Sequence, residues 1–485
     1  MKKLLLYFIA GTCYVHLHAQ NNQASDHFVI KGQVKNSPQP FVQLGVSGFM
    51  SMGMWNIPVT KDGSFSQTIS ITHPQDFFIE QENDGLLLFA VPGDTIELNW
   101  NYNEIYNTFH IACSKPWRQQ ELNTMLQLSK KIFPGMQKFF TALNDQKKSD
   151  SAKFELIKKD CAEELNIVLS SPVTTNTRKI ITDIYFRHVN MLQRERLLEK
   201  HKLAFRDIIS KEEADSLKLE YYTIDSDILN EAVFYESNEY RDFIFDRVRF
   251  YKPFNSWMTL NTSMNTEYHP NYTMIDCHTG TAFLNQVPAI LDWYLAKAIQ
   301  FGFEHYTFTG TEEAYEKFFP QIKTPMFRDT LKTYYATIQR LKPGTPAPAF
   351  TLKDSVGKNV SLKDFKGKVV YIDFWGVGCG PCIYDIKNYS ANLHDKYKNK
   401  DVVFVNICVD VEEKEWKENL MKLKLNGTNL LAKGWVTNPV CMAYNVNAIP
   451  HYILIDQKGN IVNNNASRAG ELLAQTENEI DKLLK

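Results

Sequence analysis

The sequence predicts a multidomain protein with an N-terminal all-β sandwich, a central all-α region and a C-terminal α/β domain. Three observations support this order. Between residues 28 and 110, short runs of alternating apolar and polar residues are separated by turn sequences. Between residues 115 and 341, apolar residues recur at helical spacing. Further on, an apolar and β-branched run leads through a glycine-rich turn into another helical pattern, which is typical of an α/β domain.

The chain length of 485 residues is enough for about three folded domains. We place their limits at 20–112 for the sandwich-like domain, 113–341 for the helical domain and 342–485 for the α/β domain, after a signal peptide at 1–19. Three prolines and a glycine in 341–348 favour an extended linker before the last domain. The 54 basic and 55 acidic residues nearly cancel, so the charge gives no indication of nucleic-acid binding.

The N-terminus has the pattern of a secretory signal peptide. Two lysines precede the apolar run from Leu4 to Val15, which is too short to span a bilayer comfortably. We expect cleavage after Ala19, with lipid attachment at Cys13 as the alternative. Either way, the sequence predicts a protein exported to the periplasm or cell envelope.

The helical region gives no catalytic assignment. Helices are expected at 227–249, 281–302 and 311–341. The local cluster Asp276-Cys277-His278 lacks a third chemical partner, and we interpret it as part of a loop.

A strand, a turn and a helix surround two closely spaced cysteines. The run from Lys368 to Trp375 predicts a buried strand, and residues 383–398 have helical spacing. Cys379 and Cys382 lie between them, with a proline in the first turn of the helix, where its missing N–H is tolerated. The positive end of the helix would stabilise a thiolate at Cys379, the expected nucleophile. Cys382 would resolve the mixed disulfide. Asp373, at the end of the strand, would take its proton.

These residues resemble the active site of the thioredoxin family, in its TlpA- and ResA-type branch of exported thiol–disulfide oxidoreductases. The likeness rests on Asp-Phe-Trp followed by Cys-Gly-Pro-Cys, on the segment 344–368 and on Ala448-Ile449-Pro450 with the strand after it. It implies a thioredoxin fold for 342–485, a redox-active disulfide between the two cysteines and no cofactor or metal. It also implies that Pro450 is a cis-proline, which binds the substrate together with Ile449 and Trp375. Gly378 stands where this family usually has a bulky residue.

The rest of the C-terminal domain agrees with this resemblance. We expect a hairpin at 350–362, a strand at 401–409, a charged helix at 412–424 like the insertion of the TlpA and ResA branch, strands at 451–456 and 461–463, and a last helix at 471–484. A histidinium at His451 would favour the thiolate, and a simple surface histidine is the alternative. The residues 28–110 resemble the β-rich domain of unknown function that precedes thioredoxin modules in Bacteroidetes proteins.

The predicted function is therefore the reduction of protein disulfides outside the cytoplasm. The Gly-Pro dipeptide matches thioredoxin, whose potential of about −270 mV is strongly reducing, although an oxidase or isomerase role stays open. The resemblance implies disulfide-containing protein substrates and a membrane thiol electron donor of the DsbD or CcdA kind.

Other readings of the cysteine pair have weaker support. A structural zinc site needs four ligands, and no second pair of this spacing exists. A thiol peroxidase needs a threonine three residues before the cysteine, where this chain has Gly376. A non-enzymatic surface protein that binds a ligand and keeps a structural disulfide is the remaining alternative.

Overall fold

The computed structural model describes residues 26–50, 52–81, 84–143, 145, 147–172, 179–192, 229–250 and 271–485. The predicted signal peptide at 1–19 and its alternative, lipid attachment at Cys13, lie outside these residues. The described residues form two compact units. One lies within the ranges 1–46, 55–136 and 170–175, and the other within 47–54, 137–169 and 176–485.

The N-terminal strands confirm the predicted sandwich. They are β1 His27–Lys35, β2 Phe41–Ser47, β3 Met52–Pro58, β4 Ser64–Ser70, β5 Gln75–Gln81, β6 Asp84–Ala90, β7 Thr95–Asn101 and β8 His110–Cys113. One sheet has the order β4-β1-β7-β8 and the other β3-β2-β5-β6. Phe28 of β1 contacts Phe77 of β5 with ring centroids 5.5 Å apart, so the apolar faces of the two sheets pack together.

The middle of the chain is helical, as predicted. A short helix, α1 Ile105–Thr108, lies between β7 and β8. The helices of the middle region are α2 Pro116–Leu143, α3 Asp150–Ser170, α4 at 179–192, α5 Glu231–Glu236, α6 Asn238–Phe250, α7 Tyr272–Leu284, α8 Pro288–His305, α9 Phe308–Phe318 and α10 Pro325–Ile338. In the part of the chain that the structure describes, no helix combines the length and the apolar character that crossing a bilayer requires.

The interpretation of Asp276-Cys277-His278 as a loop is wrong, because these residues lie inside α7. Asp276 and Cys277 are fully buried, and Arg249 approaches the Asp276 carboxylate at 3.7 Å. The side chain of Asn271 caps the helix by accepting from the N–H of Met274. A helix buried on several sides has no clear apolar stripe, so its periodicity gives little signal.

The C-terminal residues form a seven-stranded sheet with β11 among its inner strands. Its strands are β9 Thr351–Asp354, β10 Asn359–Ser361, β11 Val369–Trp375, β12 Val402–Cys408, β13 Thr428–Leu431, β14 His451–Ile455 and β15 Ile461–Asn463. The order is β10-β9-β13-β12-β11-β14-β15. β11 pairs in parallel with β12 and antiparallel with β14. This is the predicted thioredoxin-like sheet.

Helices cover both faces of this sheet. They are α11 Gly380–Asp385, α12 Ala391–Tyr397, α13 Glu413–Leu423, α14 Pro439–Ala443, α15 Ala469–Ala474 and α16 Glu479–Leu483. A π-helical turn at Ile386–Ser390 joins α11 to α12. The prediction of a single last helix at 471–484 is wrong. Asn478 separates α15 from α16, because its side chain accepts from the N–H groups of Ile480 and Asp481 and so starts a new helix.

The extended linker predicted for this stretch is wrong for its first residues, because 342–345 form a turn in which Thr345 N–H donates to Lys342 O at 3.0 Å. The segment 342–348 is hydrogen-bonded to the β14–β15 hairpin. Gly344 N–H donates to Ile461 O at 2.8 Å, and Ile461 N–H donates back to Thr345 O at 2.8 Å. Ala347 N–H donates to Gly459 O at 2.9 Å. The proline-rich stretch therefore behaves as an edge partner of the hairpin.

One hydrophobic core extends across residue 341. It contains buried side chains of the helical region, such as Phe303 and Ile338, together with Ile372 and Phe374 of β11 and Ile453 of β14. Val369 and Tyr371 face a separate core on the opposite side of the sheet. The helical region thus supplies part of the packing beneath one face of the redox sheet.

Candidate active site

The two cysteines form a disulfide bond at the start of a helix, with their Cα atoms 5.3 Å apart. β11 is buried along its whole length, and the turn 376–378 leads from it to Cys379, the N-cap of α11. The N–H of Cys382 donates to the Cys379 sulfur at 3.2 Å. When the disulfide is reduced, the same donor and the positive end of the helix favour a thiolate at Cys379. This is the strand–turn–helix arrangement that the sequence predicts.

A small apolar cluster surrounds the disulfide. Its buried members are Trp375, Cys382, Ile386, Cys408, Trp416 and Leu425, and Cys379, Val377 and Ile449 pack against it. Trp416 comes from α13, the predicted insertion helix. Three segments distant in the sequence therefore build one apolar wall around the sulfur atoms.

Asp373 lies in β11, two residues before Trp375, and is buried. Burial and, to a smaller extent, the nearby Asp385 raise the pKa of its carboxyl while Arg468 lowers it, and together they give a pKa of about 8. Among the described residues, its Oδ1 atom has no hydrogen-bond partner. A carboxyl group with this pKa can hold or accept a proton near neutral pH, which suits the proton-transfer role that the sequence predicts.

Asp385 was not identified from the sequence. Its buried carboxylate accepts from the Tyr452 hydroxyl at 2.8 Å and from Arg468 Nε at 2.8 Å. Tyr452 lies directly opposite Asp373 in the β11–β14 pairing. The only sequence signal is an aspartate three residues after Cys382 on the same helix, and its partners are distant in the chain.

Asp410 was also not identified. It follows β12, and its two carboxylate oxygens accept from the N–H groups of Val377 and Gly378, each at 2.9 Å. The carboxyl ends of parallel neighbours meet at one edge of a sheet, and β11 and β12 are such neighbours. An acidic residue just after the next strand could have been found by that rule.

The Ile449–Pro450 peptide bond is cis. Pro450 immediately precedes β14, whose first residue, His451, pairs with Phe374 near the end of β11. Ile449 packs against the apolar cluster to which both cysteines belong. The cis-proline loop thus adjoins the end of β11 from which the disulfide turn starts, the position that the resemblance implies.

Trp375 is fully buried. It therefore packs within the apolar cluster around the disulfide and presents no surface that a substrate could touch in this structure. Its part in substrate binding stays a prediction, and the structure shows it packed in one cluster with Cys382.

His451 is neither a surface residue nor a suitable cation. Burial and, to a smaller extent, the neighbouring His305 lower the pKa of its imidazole to about 4. A neutral imidazole supplies no charge to stabilise a thiolate at neutral pH.

The described cysteines outside the pair form no disulfide bonds. Two of them, Cys408 and Cys441, are buried in the C-terminal residues. Burial raises the pKa of the Cys408 thiol far above its usual range and that of Cys441 to about 12. Both thiols are therefore poor nucleophiles.

Within the described ranges, Asp160, Glu164 and His188 bring possible metal-ligating atoms within 4.8 Å of one another. His188 Nε2 lies 3.6 Å from the Asp160 carboxylate and 3.8 Å from that of Glu164, which also pairs with Arg187. Burial alone would lower the pKa of His188, but hydrogen bonds with Asp160 and Cys161 raise it to about 9. An imidazolium and a guanidinium therefore neutralise these carboxylates, and the group is explained as an ion-pair network.

Comparisons with known proteins agree on the C-terminal residues. The Redoxin family model matches residues 342–484. Thiol-disulfide oxidoreductase ResA of Bacillus cereus is 31% identical over 152 residues, which cover 31% of this chain and 82% of that protein. ResA of Bacillus subtilis is 34% identical over 128 residues, which cover 26% of this chain and 69% of that protein.

A solved structure is similar over the same share of the chain. The thioredoxin domain of a thiol-disulfide oxidoreductase from Bacteroides vulgatus is 31% identical, with a TM-score of 0.27. The match covers 30% of this chain and 99% of that domain.

Proposed function

Because this chain belongs to the family of thiol-disulfide oxidoreductases that includes ResA, we propose that it is an exported reductase of protein disulfides that works through Cys379 and Cys382. The observation that carries the proposal is the disulfide at the start of α11, with the Cys382 amide donating to the Cys379 sulfur. Four other described thiols, those of Cys113, Cys277, Cys408 and Cys441, have pKa values raised by burial and are poor nucleophiles.

The reaction is a two-electron exchange. The Cys379 thiolate attacks one sulfur of a substrate disulfide, the substrate S–S bond breaks, and one substrate thiolate leaves. Cys382 then loses its proton to the Asp373 carboxylate and attacks the Cys379 sulfur of the mixed disulfide. The second substrate thiol is released, and the Cys379–Cys382 disulfide forms. The substrate gains two electrons, and the protein loses two.

Two further parts of the proposal concern the surroundings of this reaction. Export rests on the pattern at 1–19, with its lysines, short apolar run and small residue at Ala19. Outside the cytoplasm the disulfide must be reduced again, and a membrane thiol transporter of the DsbD or CcdA kind is the expected electron donor. The loop at Ile449 and Pro450 is the expected contact for the substrate backbone.

Insulin reduction tests the proposal directly. With dithiothreitol as reductant, we expect the Cys379→Ser variant to lose at least about 100-fold in rate, because a serine hydroxyl cannot replace a thiolate nucleophile. The Cys382→Ser variant, reduced beforehand and freed of dithiothreitol before insulin is added, should stop at a mixed disulfide that survives non-reducing electrophoresis. Cys441→Ala is the matched control, since it removes a buried thiol of the same sheet region, and its rate should equal that of the wild type. Equal rates for the wild type and Cys379→Ser would end the proposal.

A further inference from the structure

The turn between β11 and α11 is held by a carboxylate from outside the Cys-x-x-Cys sequence. Asp410 uses one oxygen for the N–H of Val377 and the other for the N–H of Gly378, both at 2.9 Å. The Cys408 thiol lies 3.6 Å from the Asp410 oxygen that binds Val377. Since burial keeps that thiol protonated, it serves as a third donor to the same carboxylate.

The fit between the carboxylate and the turn is close. A Cβ atom at Gly376 would lie 2.4 Å from Asp410 Oδ2 and 2.7 Å from Ile449 Cδ1. A side chain at this position would force the Asp410 carboxylate and the Ile449 side chain to shift, so Gly376 lets the turn, the carboxylate and the cis-proline loop meet closely. A Cβ at Gly378 would lie 3.5 Å from Asp410 Oδ2, which is ordinary contact.

This carboxylate lies very near the redox pair. Cys379 directly follows Gly378, and consecutive Cα atoms are about 3.8 Å apart. A charge hydrogen-bonded to the Gly378 amide is therefore within about 10 Å of the Cys379 sulfur, the screening distance in 0.1 M salt. A like charge at this range opposes formation of a thiolate.

We propose that Asp410 is a positioning residue of the redox pair, which fixes the turn before Cys379 and, through its charge, shifts the dithiol–disulfide equilibrium towards the disulfide. The proposal rests on the proposed function only in taking Cys379 and Cys382 as the reacting pair. The helix end favours the Cys379 thiolate, and Asp410 opposes it. Since the thiolate exists only in the reduced protein, opposing it makes the reduced protein a stronger electron donor.

The test measures the equilibrium with glutathione at pH 8 and the titration of the Cys379 thiol in the full chain. Asp410→Asn keeps the size of the side chain and removes its charge. We expect the equilibrium to move towards the dithiol by about threefold, which is about 14 mV for a two-electron couple, and the pKa of Cys379 to fall. Asp410→Glu keeps the charge and should stay within about twofold of the wild type, since charge and not side-chain length sets the thiolate's stability.

Asp354→Asn is the matched control. Asp354 caps another turn of the same sheet by accepting from the N–H groups of Val356 and Lys358 at 3.0 and 2.8 Å. It should change neither the equilibrium nor the titration. If Asp410→Asn does not give the far-ultraviolet spectrum of the wild type, Asp410→Ser is measured in its place.

The proposal is overturned if Asp410→Asn leaves both quantities at wild-type values, or if it shifts them no more than Asp354→Asn does. Both measurements use glutathione and protons and no protein substrate. A protein that fails to reduce insulin but shows the Asp410→Asn shift would contradict the proposed function and support this one.

Discussion

Asp373 combines burial with a carboxyl oxygen that has no partner among the described residues. Its pKa is about 8, compared with 3.8 for an ordinary aspartate, chiefly because burial penalises the charged form. A carboxyl group with a raised pKa in the folded state stabilises the fold below about pH 4 relative to higher pH, and that stability is lost as the pH rises through 8. The same property makes it a usable proton acceptor.

We therefore predict opposite effects of Asp373→Asn on stability and on activity. At pH 7, the free energy of unfolding should rise by roughly 2–4 kcal/mol, because the variant no longer has a buried group that prefers ionisation in the unfolded state. The rise should nearly vanish at pH 4. The release of substrate from the Cys379 mixed disulfide should slow by at least about 10-fold and lose its pH dependence near 8.

Urea unfolding at several pH values and stopped-flow resolution of a preformed mixed disulfide provide these measurements. Asp329→Asn is the control, since 67% of the Asp329 side chain is exposed, and it should be neutral in both. A stability difference that stays constant from pH 4 to pH 8 would refute the linkage.

At this scale, the sequence identifies the residues whose signal is local. The cysteines and Asp373 lie within ten residues of one another, and one strand–turn–helix pattern predicts their arrangement. The sequence does not identify Asp385 and Asp410, because their roles depend on distant partners. These partners are Tyr452 for Asp385 and the amides of the turn for Asp410. No periodicity in a single segment reports such contacts.

At the scale of elements, α13, the helix predicted to be an insertion, contributes to the apolar cluster around the redox pair. Trp416, its one large buried side chain, lies in the apolar cluster with Cys382 and Trp375, and the rest of the helix carries mainly charged and polar residues. The charged character of this segment predicts a helix correctly. The packing of Trp416 near the disulfide could not be predicted, because it depends on where the chain places α13 after β12.

We predict that Trp416→Ala lowers the free energy of unfolding by about 3–5 kcal/mol, because it leaves a cavity in a packed core. Since that cavity adjoins Cys382, the reduced Cys382 thiol should also react faster with an alkylating agent than in the wild type. Met421→Ala on the same helix is the control, because Met421 is 71% exposed, and both quantities should stay unchanged. Equal unfolding energies for the two variants would show that the cluster is not a packed core.

At the scale of the whole molecule, the hydrophobic core that crosses residue 341 joins the helical region to the redox sheet. Asn464 and Asn465 donate to the carbonyl of Phe303 at the end of α8, each at 3.4 Å. Arg340 donates to the carbonyls of Ala443 and Met442 at 2.8 and 2.5 Å. The domain limit at 341/342 stays a prediction, and it separates two sequence segments that share one core.

We predict that Phe303→Ala destabilises the redox sheet as well as the helices. Phe303 is 1% exposed, so its loss should lower the free energy of unfolding by about 3–5 kcal/mol. Hydrogen exchange of peptides from α8 and from β11 should accelerate together. Phe140→Ala is the control, since Phe140 is 47% exposed and should change neither. Faster exchange confined to α8 would contradict the shared core.

The sequence predicts the order of the three regions, because each has its own pattern of apolar residues. It could not show that two of them share a core. The prolines of 342–348 prevent the preceding helix from continuing, and a non-helical segment of this kind can be either a free tether or an edge partner of a sheet. Only the partner decides between these, and here it is the β14–β15 hairpin, which lies about a hundred residues further along the chain.

Residues 342–348 therefore do not act as a flexible linker for the redox centre. A domain on a flexible linker could diffuse between an electron donor and an oxidised protein substrate. Here the sheet that carries the two sulfur atoms shares a core with the helical region, so the redox centre does not move between partners on a tether. The proposed electron donor and the proposed protein substrate would therefore both have to diffuse to the disulfide and react with it one after the other.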